Sequence, residues 1–164
     1  MMCEKGMELL GKYLIPLYEG ACEPEAWDAV SLASTIGGMV IHTAGVTLAH
    51  GMEHPASGLR DITHGKGLAA ITPAVMEASA AGCLEKFAVI SRCLGGKDEK
   101  DCVDRIRKLI EQLNLTVTLG ELGIKEEDVA WMAENCMKVS AAGISYHPVT
   151  FDRDQIEELY RRCL

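Results

Sequence analysis

The chain has 164 residues, 48% of them hydrophobic, and a formal net charge of -8 at pH 7. A sequence of this length can bury one substantial hydrophobic core but not two independent ones, so we predict a single domain over residues 1–164. The negative charge argues against nucleic acid or an anionic membrane surface as a partner, because both would repel the protein.

The cysteines form an odd set without a Cys-x-x-Cys pair, and there are seven of them: Cys3, Cys22, Cys83, Cys93, Cys102, Cys136 and Cys163. No secretory signal precedes them. This usage is typical of reduced thiols in a cytoplasmic protein. Unpaired cysteine is commonly buried, so we predict that they serve as small, buried apolar side chains on helices.

An uncharged stretch of 21 residues, 29–49, is long enough to cross a bilayer. It is rich in glycine, serine and threonine, and it lacks the basic or aromatic flanks of a spanning helix. We therefore predict a buried core helix and no membrane association.

Apolar residues recur at helical spacing almost throughout, and no alternating run indicates a sheet, which predicts an all-α array of about seven helices. The first helix is predicted over 3–18. The second begins at Pro24, whose missing N–H is tolerated in a first turn. A break is expected near Gly45, followed by a short helix that carries His50 and His54.

Pro55 is expected to stop that short helix, because proline lacks the N–H that helix continuation needs. A loop over 55–63 should follow. Gly95 is a suitable stop for the fifth helix, and Asp152 or Thr150 is a suitable N-cap for the last. The later helices are predicted over 64–77, 83–94, 98–113, 125–137 and 152–162.

Three of the five histidines, His50, His54 and His64, fall within fifteen residues. His50 and His54 are four apart and share a helix face, and the following loop can bring His64 towards them. Imidazole is a common ligand for iron, zinc, copper and nickel, so the cluster is a candidate metal site. The alternative is a polar patch in which the histidines only form hydrogen bonds.

A second interpretation comes from the string His50-Gly51-Met52-Glu53-His54, which matches the H-x-x-E-H helix of inverted zinc peptidases. In that interpretation Glu53 is the general base. The motif needs a helix that continues and a downstream carboxylate ligand. The expected stop at Pro55 argues against it.

The stretch GVTLAHGMEHPASGLRDITHGKGLAAITPAVM, residues 45–76, resembles the metal-binding segment of the iron-containing alcohol dehydrogenase family. The shared features are a glycine-led helix with one histidine, a second histidine four residues on, and an H-G pair ten residues later before a proline. Met52-Glu53-His54 and the phrase HGKGLAAITPAVM are more similar to the NADPH-using butanol dehydrogenase branch than to the propanediol oxidoreductase branch. Weaker likeness in CLEKFAVISRCLGG, ELGIKEEDVAWMAE and HPVTFDRDQIEELYRRCL extends the resemblance over nearly the whole chain.

The resemblance implies a carboxy-terminal helical domain that supplies His50 and His64 as two of four ligands to Fe²⁺ or Zn²⁺. His54 matches a histidine that lines the nicotinamide and substrate pocket and is not a ligand. The other two ligands, an aspartate and a histidine, and the domain that binds NADP or NAD would lie upstream. Leu59-Arg60 stands where the family usually has an aromatic pair, at the substrate wall.

The implied activity is oxidation of a small alcohol or reduction of an aldehyde. The metal would act as a Lewis acid on the alcohol oxygen, hydride would pass to or from the nicotinamide, and His54 would relay a proton. The chain alone is expected to be inactive. The alternatives left open are a non-catalytic helical remnant or assembly module and the H-x-x-E-H peptidase. The sequence does not identify the alcohol, the metal or the nicotinamide cofactor. It also does not determine the oligomeric state, for which a homo-oligomer is one possibility.

Overall fold

A computed structural model describes residues 1–20 and 23–164 of the chain. Over these residues it contains no β-strand, which confirms the all-α prediction, and two short 3-10 turns join the helices at Ala80–Gly82 and Glu99–Asp101. The described helices are α1 (Met2–Tyr18), α2 (Pro24–Ala44), α3 (Leu48–Arg60), α4 (His64–Ser79), α5 (Leu84–Cys93), α6 (Cys102–Gln112), α7 (Glu126–Val139), α8 (Ala141–Ser145) and α9 (Arg153–Cys163). These nine α-helices exceed the expected number of about seven, and the five-residue α8 was not predicted.

The helices form two compact units, Met1–Gly45 with Cys83–Asn114 and Val46–Gly82 with Leu115–Leu164. In the first unit, α1 packs against α2 and α5, and α5 packs against α6. In the second unit, α3 packs against α4, α7 and α8, and α9 packs against α4 and α7. The histidine cluster belongs to the second unit.

The core of the second unit is built from apolar side chains at helical spacing. Helix α3 contributes Leu48, Met52 and Ala56, which are fully buried. The Tyr160 hydroxyl donates a hydrogen bond of 2.6 Å to the Met52 carbonyl, which ties α9 to the middle of α3. The largest buried side chains contributed by the other elements include Ile71, Leu119, Val129, Met132, Ile156 and Tyr160.

The expected stop at Pro55 is wrong, because α3 runs through it to Arg60. Proline in a helix interior removes one hydrogen bond and costs about 3 kcal/mol. The residues beyond it offset this cost: Ala56 is fully buried, and Leu59 packs against the same core. The predicted loop over 55–63 therefore shrinks to residues 61–63.

The helix ends predicted from glycine and capping residues are correct, unlike the stop predicted at Pro55. Helix α2 ends at Ala44, and Gly45 follows with φ of +73°, a left-handed conformation that favours glycine. Gly95, with φ of +78°, follows α5 in the same way. The Asp152 carboxylate accepts a hydrogen bond from the Gln155 N–H and caps α9. All three predicted ends are confirmed.

The uncharged stretch 29–49 is not one buried helix, because Gly45 interrupts it and many side chains of α2 are exposed to solvent. Leu32, Met39 and Ile41 are each about half exposed, whereas Ala29 and Ala33 are buried. Among the described residues, no single helix is long and apolar enough to span a membrane, and α2 and α3 meet that criterion only as a broken pair.

Six of the seven cysteines lie in the described residues, and all six are free thiols. Cys102, Cys136 and Cys163 are buried as expected, and burial raises the pKa of Cys136 to about 12. Cys3 is exposed, so the prediction of a buried side chain is wrong there. Cys22 lies outside the described residues.

His147 links the chain before α9 to the end of α4. Its Nε2 lies 2.7 Å from Ser79 Oγ, while the Ser79 hydroxyl donates to the Val75 carbonyl at 2.6 Å. That hydroxyl has one proton, so the imidazole must be the donor to Ser79. His147 Nδ1 then carries the lone pair, and it is buried with no hydrogen-bond partner in the described part of the chain. Burial lowers the pKa of His147.

We expect the chain to lose stability as the pH falls below the ordinary histidine value of 6.5. The pKa of His147 is lower in the folded than in the unfolded state, so its contribution is complete above 6.5 and is lost as the pH falls through the folded pKa. Thermal unfolding at about pH 7.5 and about pH 5.5, on either side of the histidine range, measures the loss.

His147→Gln keeps an N–H donor without titrating, so its melting temperature should fall less between these two pH values than that of wild type. His42→Gln, at an exposed position, should behave as wild type, and an unaltered pH dependence in His147→Gln would contradict this account.

Candidate metal centre

The turn between α3 and α4 determines where His64 lies. Asp61 caps α3 in the left-handed conformation, with φ of +51°. Aspartate tolerates this conformation better than most residues. The chain therefore reverses within residues 61–63, and His64 begins α4 beside the helix that carries His50 and His54.

The three imidazoles converge. Ring centroids are 6.0 Å apart for His50 and His54, 5.1 Å for His50 and His64, and 5.8 Å for His54 and His64. One nitrogen from each ring can be chosen so that all three lie within 4.8 Å of one another. The spacing prediction that these side chains meet is confirmed, while the separate role of each remains a prediction.

Burial and charge differ among the three rings. His50 is partly buried, whereas His54 and His64 are exposed. Burial lowers the pKa of His50, and the neighbouring His64 and His54 lower it further. A lowered pKa keeps the imidazole neutral at neutral pH, which is the form that binds a metal ion.

Behind the imidazoles lies Glu53, a carboxylate with no exposed surface. One of its oxygens, Oε2, forms a short hydrogen bond with His64 Nδ1. The other, Oε1, accepts a hydrogen bond from the Ser57 hydroxyl, whose oxygen also lies 3.0 Å from the Ile62 carbonyl oxygen. Sequence reasoning considered Glu53 only as a peptidase base and overlooked Ser57, although the two are one helical turn apart.

The peptidase interpretation fails for a different reason from the one first given. Helix α3 does continue past His54, as the H-x-x-E-H motif requires. A general base must reach water and substrate, however, and Glu53 is fully buried with both oxygens bonded to protein groups.

Arg60, at a position where the resemblance implies an aromatic residue, is fixed by hydrogen bonds to the start of α7 and to the segment before it. Its guanidinium donates to both oxygens of Asp128, at 2.8 and 2.6 Å, and its Nε donates to the Gly123 carbonyl at 3.0 Å. Leu59 packs against the core of the second unit. Arg60 therefore joins the end of α3 to the start of α7.

The donors present fit a transition-metal ion. Imidazole nitrogen suits iron and zinc, and a ligand histidine commonly donates its other N–H to a carboxylate, as His64 can to Glu53. The fold and the cluster thus define an all-α module whose histidines are arranged like ligands of a divalent metal.

Comparison with known proteins agrees with this description. The model of the Fe-containing alcohol dehydrogenase family, C-terminal part, matches residues 1–164. The chain therefore belongs to the iron-containing alcohol dehydrogenase family and corresponds to its C-terminal portion.

Individual relatives show how much of a whole enzyme the chain represents. It is 29% identical over 154 residues to the probable alcohol dehydrogenase EutG of Escherichia coli, covering 93% of this chain and 38% of the relative. A crystal structure of an archaeal halo-thermophilic alcohol dehydrogenase from a Red Sea brine pool matches with a TM-score of 0.93 and 28% identity, over 99% of this chain and 44% of that one. NADH-dependent butanol dehydrogenase A of Thermotoga maritima shares the fold, with a TM-score of 0.77 and 23% identity over 98% of this chain and 44% of that one. The chain thus spans about two-fifths of the length of these relatives.

Proposed function

We propose that the chain is the C-terminal helical part of a metal-dependent, NAD(P)-linked alcohol dehydrogenase or aldehyde reductase. The observation that carries the proposal is that ring nitrogens of His50, His54 and His64 lie within 4.8 Å of one another. They do so in a chain that belongs to the iron-containing alcohol dehydrogenase family. The substrate is a small alcohol or aldehyde, and the protein acts in the cytoplasm. Residues 1–164, which include both compact units, are proposed to be part of a single domain of that enzyme.

His50 and His64 are the proposed metal ligands, for Fe²⁺ or Zn²⁺. His50 is partly buried with a lowered pKa, and the bond from His64 Nδ1 to Glu53 leaves His64 Nε2 for the metal. The remaining two ligands, an aspartate and a histidine, are proposed to lie upstream of this chain, as is the nucleotide-binding domain that holds most of the NADP or NAD site. When bound, the metal supplies Lewis acidity and the nicotinamide exchanges the hydride.

His54 is the proposed proton-transfer group, at the edge of the nicotinamide pocket. It lies one turn after His50 on the same face of α3, and its ring is exposed. An exposed imidazole can take a proton from a reacting hydroxyl and release it to water. His54 therefore needs to be close to the metal without binding it.

The chain alone should not turn over substrate. Without a nucleotide-binding domain, nothing holds a nicotinamide ring within transfer distance of the alcohol. Positioning of this kind can account for about 7 to 11 kcal/mol of a reaction barrier.

Metal titration of the 164-residue chain tests the proposed site. Two imidazoles supply half of a tetrahedral shell, so Zn²⁺ should bind weakly and saturate only in large excess. Calorimetry, with chemical shifts of nitrogen-15 labelled histidine as a second readout, measures the binding. His64→Ala should abolish it. His42→Ala, a substitution on α2 outside the cluster, should not change it.

Two outcomes would contradict the proposal. Tight, stoichiometric Zn²⁺ or Fe²⁺ binding by the isolated chain would mean that the other ligands are not missing. Absence of metal from a longer protein that includes the upstream domain would mean that the histidines are not a metal site, and it would favour a helical assembly module.

A further inference from the structure

Glu53 is an ionisable group in an environment that penalises charge. It is fully buried, and its neighbours on α3, Met52 and Ala56, belong to the hydrophobic core. Burial of a carboxylate is unfavourable unless hydrogen bonds compensate it. The compensation comes from His64 Nδ1 and the Ser57 hydroxyl.

The backbone of α4 leaves space for this carboxylate only because residue 67 is glycine. An ideal Cβ at Gly67 would lie 2.7 Å from Glu53 Oε1 and 2.9 Å from its Cγ. Such distances are shorter than van der Waals contact, so a side chain there would force Glu53 to move. Gly67 and Ser57 together confine the carboxylate beside His64.

This confinement decides which nitrogen of His64 carries the proton. A buried carboxylate accepts hydrogen bonds, so Nδ1 is the donor and Nε2 retains its lone pair. Without an acceptor at Nδ1, the ring would be free to adopt the other tautomer, in which Nε2 carries the proton and cannot bind a metal. The orientation of the ring about its side-chain bonds would also be unrestrained.

We propose that Glu53 is a positioning residue, held by Ser57 and accommodated by Gly67, that keeps His64 in the Nδ1–H tautomer with Nε2 directed at the metal. It acts through His64 and does not contact the metal or the substrate. The inference rests on the proposed metal site, but the tautomer itself can be measured without any metal. Removal of a carboxylate behind a ligand histidine typically weakens metal binding about 10- to 100-fold.

The test compares substitutions at Glu53 in the 164-residue chain, labelled with nitrogen-15 histidine. Glu53→Met keeps the side-chain length without an acceptor, Glu53→Gln keeps an acceptor without a charge, and Tyr160→Phe removes a different buried hydrogen bond to α3. Two-bond proton–nitrogen correlations at about pH 8, above the usual histidine range, report the His64 tautomer. Zn²⁺ titration of the same samples reports metal binding.

We expect His64 to be the Nδ1–H tautomer in wild type, Glu53→Gln and Tyr160→Phe, and to shift towards Nε2–H in Glu53→Met. Zn²⁺ binding by Glu53→Met should weaken about 10-fold or more, with smaller changes in the other two variants. Circular dichroism confirms that each variant is folded. If Glu53→Met does not fold, Gly67→Ala replaces it: its Cβ would displace the carboxylate from His64, so the tautomer should shift in the same direction. An unchanged tautomer in a folded Gly67→Ala chain would then overturn the positioning role.

The outcomes separate this inference from the proposed function. A tautomer that is unchanged in a folded Glu53→Met chain would overturn the positioning role, whether or not metal binds. A shifted tautomer with no Zn²⁺ binding by wild type or by a longer protein would overturn the metal site and leave the Glu53–His64 interaction as a structural one. A shifted tautomer with unchanged Zn²⁺ affinity would overturn the claim that metal binding depends on the His64 tautomer.

Discussion

In a longer protein that adds the proposed upstream ligands and nucleotide-binding domain to this chain, His64→Ala is expected to lose the metal and the activity together, whereas His54→Ala loses activity and keeps the metal. His64 is a proposed ligand, fixed through Glu53 on its far side. His54 is exposed and is proposed to transfer a proton. Loss of a general acid–base group typically lowers turnover by about 10²- to 10⁴-fold. Metal content by mass spectrometry and turnover of a small alcohol, measured on the same preparations, give both quantities.

His42→Ala is the control in this experiment, because His42 is a histidine of α2 outside the cluster. It should keep full metal content and full turnover. If His54→Ala expels the metal as completely as His64→Ala, the division of roles is wrong and all three imidazoles are ligands. One nitrogen from each ring lies within 4.8 Å of one nitrogen from each of the others, which is compatible with such a site.

The substitution Gly67→Ala is expected to destabilise the chain, although alanine is the better helix former. In an open helical position the exchange gains up to about 1 kcal/mol. At Gly67 the new Cβ would meet Glu53 at 2.7 Å. Moving that carboxylate weakens its hydrogen bonds to His64 and Ser57, and overpacking of this kind costs about 1 to 3 kcal/mol. Urea unfolding followed by circular dichroism measures the net loss.

Gly58→Ala is the matched control, because Gly58 lies inside α3 and a Cβ there would meet nothing within 4 Å. It should be neutral or stabilising. A double-mutant cycle adds a second check: in a Glu53→Ala background, the cost of Gly67→Ala should fall because the obstructing side chain is gone. A Gly67→Ala chain as stable as wild type would show that Glu53 moves without cost, and it would weaken the case for confinement of the carboxylate.

Much of the fold could be predicted from the sequence because its signals are local. Helical periodicity, the positive φ at Gly45 and Gly95, and the capping carboxylate of Asp152 depend on neighbouring residues alone. The same holds for half of the candidate site, since His50 and His54 share a helix face by their spacing of four.

The failures have a common physical cause. Pro55 is a local helix-breaking signal, but packing of Ala56 and Leu59 beyond it offsets the lost hydrogen bond. The uncharged stretch 29–49, most of which lies in α2, was expected to be buried. Burial depends on which elements pack against a helix, however, and hydropathy does not reveal this. In both cases a tertiary contact, or its absence, outweighed a local preference.

Glu53 shows most clearly where the sequence stops being informative. The sequence by itself determined an all-α chain, three clustered histidines and, through a resemblance that the family comparison bears out, a C-terminal piece of an iron-containing alcohol dehydrogenase. Only the tertiary structure decided that the reversal at Asp61 brings His64 to Glu53, and that Gly67 leaves space for the carboxylate between the two helices. Periodicity describes each helix separately, whereas the contact between α3 and α4 depends on the turn that joins them and on the side-chain volumes at their interface.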